Sequence, residues 1–265
     1  MKEHFKQRPI ASSIKTVGAI FLAYMLARII LIATIAPQGA THLYLDGFLR
    51  GFLAIIGILL LGILVKQDGF EYVFSPVNSR KALVASIPII TWILATSIHF
   101  FNIAELNRAF MPMIPAIILF DSMNGIYEEV LFRGLLMAAM LYYFGNTTRG
   151  RLAILFFNAA IFGLIHISDG IFAVFITFLI GLGFASIYMY SNNLLVLIVI
   201  HALWNIVMKT TNGLILDVHS LTLVQIVNIV QHTSLFVAIP VFAIFIAIKS
   251  EPFSTKVRLI SEVDV

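Results

Sequence analysis

A succession of apolar runs, most of them long enough to cross a bilayer, decides what this chain folds into. A crossing takes about 20 apolar residues in a helix. The candidates are Ile14–Ala36, Gly47–Val65, Ala82–Phe101, Ala109–Phe144, Leu152–Ile167, Gly170–Tyr190, Leu194–Met208 and Ser234–Ile248. Only 11% of the residues are charged, against roughly 25% in a soluble domain, so nothing of useful size is left over for one. The expectation is an all-α, polytopic membrane helix bundle of about eight transmembrane helices, a single domain over residues 1–265. The first run is too long for a signal-peptide core and is read as retained. With no cysteine in the chain, disulfide and thiolate chemistry are excluded.

The fourth run covers 36 residues, about 54 Å as a helix, which is too long for one straight crossing. Pro112, Pro115 and Gly125 predict a short entry segment followed by a helix from about Gly125 to Phe144. The apolar stretch Leu214–Val230 is interrupted by Asp217, His219, Gln225 and Asn228, which predicts a surface-lying or re-entrant segment. Lys and Arg concentrate before the first run (Lys2, Lys6, Arg8, Lys15), in alternate loops (Lys66, Arg80, Lys81; Arg149, Arg151) and after the last run (Lys249, Lys256, Arg258). The other loops hold only Arg108 and Lys209. This bias predicts both tails in the cytoplasm, and a multi-pass protein of the cell membrane is expected. The net charge of +4 is therefore a topology signal, and no nucleic-acid partner is expected.

Inside the fourth run lies "GIYEEVLFRG", Gly125 to Gly134. Three charges at that depth are costly unless they pair or do chemistry. Residues four apart share a helix face, while neighbours point about 100° apart. Glu129 and Arg133 can therefore pair, while Glu128 points elsewhere with no local cation and suits a general acid or base. "FGLIH" puts Phe162 and His166 on one face of the fifth run, and "HALWN" does the same for His201 and Asn205 in the seventh. A glutamate and a histidine can activate water, while a histidine and an amide can hold an oxyanion, a set sufficient for hydrolysis. Taken singly, each histidine is as readily a helix–helix hydrogen bond. Arg50 and Arg108 are read as snorkelling from helix ends, Arg28 and Asp121 as able to pair with each other, and the other five histidines receive no role.

Taken together and in this order, the three motifs resemble those of the CAAX protease and bacteriocin-processing (Abi) family of intramembrane proteases. Glu-Glu-x-x-x-Arg stands at 128–133, Phe-x-x-x-His at 162–166 and His-x-x-x-Asn at 201–205. The resemblance covers about residues 109–208, the expected catalytic core. It implies an eight-helix membrane endopeptidase, with Glu128, His166, His201 and Asn205 catalytic and Glu129 and Arg133 supporting them. Its substrate would be a membrane-associated protein or peptide in the lipid bilayer, with roles in bacteriocin immunity or peptide maturation. Family members work either without a metal or with one. If zinc is used here, Glu128, His166 and His201 are the ligands. A non-catalytic immunity or scaffold protein is the competing reading, and a transporter with a buried charge relay is a third. In this layout Glu128 and His166 fall nearer the outer ends of their helices, and His201 and Asn205 near the middle.

Overall fold

The computed structural model describes Lys15 and residues 18–20, 22–27, 29–30, 39–68 and 78–250. Its helices are α1 (Gly39–Asp68), α2 (Ser79–Ala85), α3 (Ile87–Ile98), α4 (Ile114–Glu129), α5 (Ala138–Phe144), α6 (Thr148–Leu164), α7 (Ile171–Ser191), α8 (Leu194–Leu214), α9 (Leu221–Thr233) and α10 (Ile239–Lys249). Two short strands, β1 (Ile103–Leu106) and β2 (Ile215–Val218), pair antiparallel and tie together the connections after α3 and α8. The protein is an all-α, multi-pass membrane protein. Among the described residues four helical stretches are long and apolar enough to cross a bilayer, or five if α2 and α3, bent by 63°, form one broken span. Eight spans are therefore not reached among these residues, and Lys2, Lys6, Arg8, Arg28, Lys256 and Arg258 lie outside them.

The bundle carries large apolar side chains on both its inside and its outside. Leu131, Leu155, Leu182 and Phe184 are fully buried, whereas Phe52, Leu59, Val241 and Phe245 are exposed. In a bilayer those outward faces meet lipid, so the hydrophobic effect does not select which face turns inward. Close packing does. Glycines let helix backbones touch: a Cβ on Gly125 would lie 3.2 Å from both the Ala202 nitrogen and the Ile198 carbonyl oxygen of α8. One on Gly181 would lie 3.2 Å from the Ala159 Cα of α6.

Gly125 is thus a contact point and not the start of a helix. Contrary to the expectation from its prolines and glycine, the rod begins at Ile114. Pro112 lies in the preceding 3-10 turn and Pro115 in the first helical turn, where a missing N–H costs nothing. From Glu129 the chain continues without a break through a π-helical stretch, Val130–Met137, into α5. The wider winding loosens the local backbone bonding, and the Asn158 side chain of α6 donates to the Phe132 carbonyl at 3.0 Å.

The polar stretch before the last run also differs from expectation. Leu221–Lys249 is one helical rod through a second π stretch, Ser234–Ala238. Asp217, His219 and Gln225 are exposed, as a surface segment would have them, whereas Gln231, just past that stretch, donates to the Thr96 hydroxyl of α3 at 2.7 Å. Arg151 contributes more than topology, being buried and donating to the carbonyls of Gly145 at 3.1 Å and Ala247 at 2.9 Å. A cation at those helix C-terminal ends also suits their dipoles.

Candidate active site

α4 brings Glu128 and Glu129 to the centre of the bundle, where both are buried. Their neighbouring positions on one helix send them to different sides of a single imidazole. His201 of α8 presents Nδ1 to Glu129 Oε1 at 2.6 Å and Nε2 towards Glu128 Oε2 at 3.6 Å. The same Glu129 oxygen accepts from Arg133 Nη1 at 3.0 Å. Glu129 is therefore not simply the structural partner of Arg133. A carboxylate only accepts, so Nδ1 of His201 carries the proton in that contact, and Nε2 is the nitrogen left facing Glu128.

Aromatic rings hold this group in place. Phe162 of α6, the first residue of its motif, meets His166 at 5.3 Å and His201 at 5.9 Å between ring centroids. Arg133 lies over the other side of the cluster, 4.4 Å from the Phe162 centroid and 5.6 Å from that of Phe184. Phe184 of α7 stacks on His201 at 4.5 Å. A fully buried guanidinium is thus held by one carboxylate and two aromatic faces. His166 lies just past the end of α6, half-buried, with Nδ1 donating to the Phe162 carbonyl at 2.9 Å. That leaves its Nε2 unused by the backbone.

Glu128, His166, His201 and Asn205 all line one cavity of about 1000 Å³. Glu129 and Arg133 sit behind it. A second cavity of about 690 Å³ adjoins it, sharing Phe172, Ile176, Trp204 and Met208, and is lined further by His99 and His232. Trp92 of α3 and Trp204 of α8 stack with centroids 3.7 Å apart beside both spaces. Among the described residues no three His, Asp or Glu side chains come together as a metal site, Glu128, His166 and His201 included.

Two readings of the charges change. Arg50 does not snorkel: its Nη1 reaches 3.4 Å from Glu128 Oε1 and donates to Asn124, and its side chain lines the main cavity. Glu128 therefore does have a cation, supplied by α1. Its signal in the sequence was Asp46 and Arg50 standing four apart in an apolar run, the same spacing as Glu129 and Arg133. Asp121, fully buried, pairs with Lys209 of α8, whose position continues the His201, Asn205 face one turn on.

No curated protein and no solved structure matches the chain. The region that carries all three motifs does match a known family. Residues 108–207 match the family model described as type II CAAX prenyl endopeptidase Rce1-like, and in that stretch the chain is similar to that family.

Proposed function

We propose that the protein is an intramembrane endopeptidase of the cell membrane that hydrolyses a peptide bond in a membrane-associated protein or peptide by a glutamate-activated water. The whole chain would act as one membrane domain with about residues 109–208 as its catalytic core. The observation that carries this reading is the opening of Glu128, His166, His201 and Asn205 onto one cavity inside the bundle. Irregular polar structure at that depth is tolerated where it lines such a space.

In the proposed reaction Glu128, with His166 beside it, takes a proton from water as the oxygen attacks the carbonyl carbon of the scissile bond. Asn205 through its amide N–H and His201 through an Nε2–H, one turn apart on α8, donate to the charge that develops on the carbonyl oxygen, which requires His201 to hold a proton on both ring nitrogens. The C–N bond then breaks, and Glu128 returns the proton to the leaving amine. Glu129 orients His201 by holding Nδ1, and Arg133 and Phe162 hold Glu129 and the ring. This sequence of proton transfers is built from the chain's own side chains. A role in bacteriocin immunity or peptide maturation fits a compact protease of this kind.

Comparing the membrane peptidomes of cells carrying wild type and Glu128→Gln tests the reading. Cleavage products should appear in the wild type and vanish with the substitution. A binding-only scaffold would keep its phenotype without Glu128, and identical peptidomes together with an unchanged phenotype would sink the protease reading.

A further inference from the structure

We propose that Arg50 is a positioning residue for the reaction, holding the Glu128 carboxylate in the orientation from which it meets water. α1, which lies outside the matched stretch 108–207, would then supply a working part of the site. This rests on Glu128 being the water-activating group.

The guanidinium is held on three sides. Nη2 donates to the Tyr24 hydroxyl at 2.5 Å, Nε lies 3.7 Å from Asp46 Oδ2, and Nη1 donates to Asn124 one turn before Glu128. The Tyr24 hydroxyl donates in turn to Asp46 Oδ1 at 3.0 Å. Tyr24 and Phe120 place their rings 4.8 and 4.9 Å from the guanidinium carbon. On its remaining side it faces the cavity and Glu128. A snorkelling arginine would carry its charge out to the headgroups, whereas this one carries it inward to the glutamate.

Glu128 is consequently bracketed, with Arg50 against Oε1 at 3.4 Å and His201 against Oε2 at 3.6 Å. Turning the carboxylate would break one contact or the other. Arg50 also divides its charge between Asp46 and Glu128, so the contact orients Glu128 without closing into the tight bidentate pair that would occupy both its oxygens. Arg133 cannot take over this task, because its guanidinium is committed to Glu129 behind the cavity wall.

The test uses full-length protein purified in detergent, with a prenylated CAAX peptide and any peptide cut by wild type but not by Glu128→Gln. Arg50→Ala is measured beside Arg50→Ala/Asp46→Asn, which removes the aspartate charge the first variant leaves without Arg50, and beside Arg50→Lys. Positioning predicts that kcat falls roughly 100-fold in Arg50→Ala and in the double variant, with little change in KM. Added guanidinium ion should restore part of the lost turnover in Arg50→Ala, and Arg50→Lys should fall in between. A folded double variant, judged by its melting curve, that keeps kcat within about threefold of wild type overturns the proposal, as does a loss confined to KM. Wild type and Glu128→Gln cutting every tested peptide alike would instead bring down the underlying protease reading, and the role of Arg50 with it.

Discussion

Glu128→Gln is expected to lose at least about 100-fold in peptide-bond hydrolysis while melting where wild type melts. Glutamine keeps the shape of the side chain and an oxygen for Arg50, but it cannot accept the proton of the attacking water. Stability should hold because Arg50 keeps its contacts with Asp46 and Tyr24, and a neutral side chain is easier to bury than a charged one. His166→Ala and His201→Ala should each lose activity on the same scale. They differ in what else they disturb: His201 also contacts Glu129, Phe162 and Phe184, so its loss should show in the melt, whereas the half-buried His166 should leave the melt nearly unchanged. Near-normal turnover by purified Glu128→Gln would show that the water is activated elsewhere.

Arg133→Met should cost about 3–5 kcal/mol in stability, the usual cost of breaking a buried ion pair by removing one partner. Both members of this pair are fully buried. The substitution leaves Glu129 with only the imidazole of His201, and it removes the cation from the faces of Phe162 and Phe184. Activity should fall with stability. Adding Glu129→Gln removes the orphaned charge, so the double variant should melt closer to wild type. Its activity should stay low, because a neutral amide in place of the Glu129 carboxylate no longer holds His201 Nδ1 as an anion does. Detergent melts paired with turnover assays would separate the two effects. Recovery of both together in the double variant would mean that Glu129 only serves Arg133 and does not orient His201.

Much of the site could be read from spacing within single helices. The four-residue steps from Glu129 to Arg133 and His201 to Asn205 place each pair on a shared helix face, and Phe162 and His166 stay in contact although α6 ends between them. What crosses between distant helices could not be read this way. Arg50 and Glu128 are 78 residues apart, and the position of Arg50 in its apolar run looks the same whether the side chain points to headgroups or inward. The double use of Glu129 was hidden for a similar reason: a helical wheel shows Arg133 but not the imidazole arriving from α8. Gly125 misled because a glycine that breaks a helix and one that lets two helices touch are the same letter, and only the neighbour, Ala202, distinguishes them. Likewise, the polar residues before the last run suggested a segment separate from it, when the helix runs on from Leu221 to Lys249 as one rod.

The protein holds only two tryptophans, and they are stacked against each other where the two cavities adjoin. Transition dipoles at that separation couple, so the indole emission of the chain and the indole bands of its near-ultraviolet circular dichroism come from this one spot. Occupation of either chamber by a ligand would disturb the pair directly. An unlabelled sample therefore carries its own optical reporter, able to time the arrival of substrate separately from its cleavage.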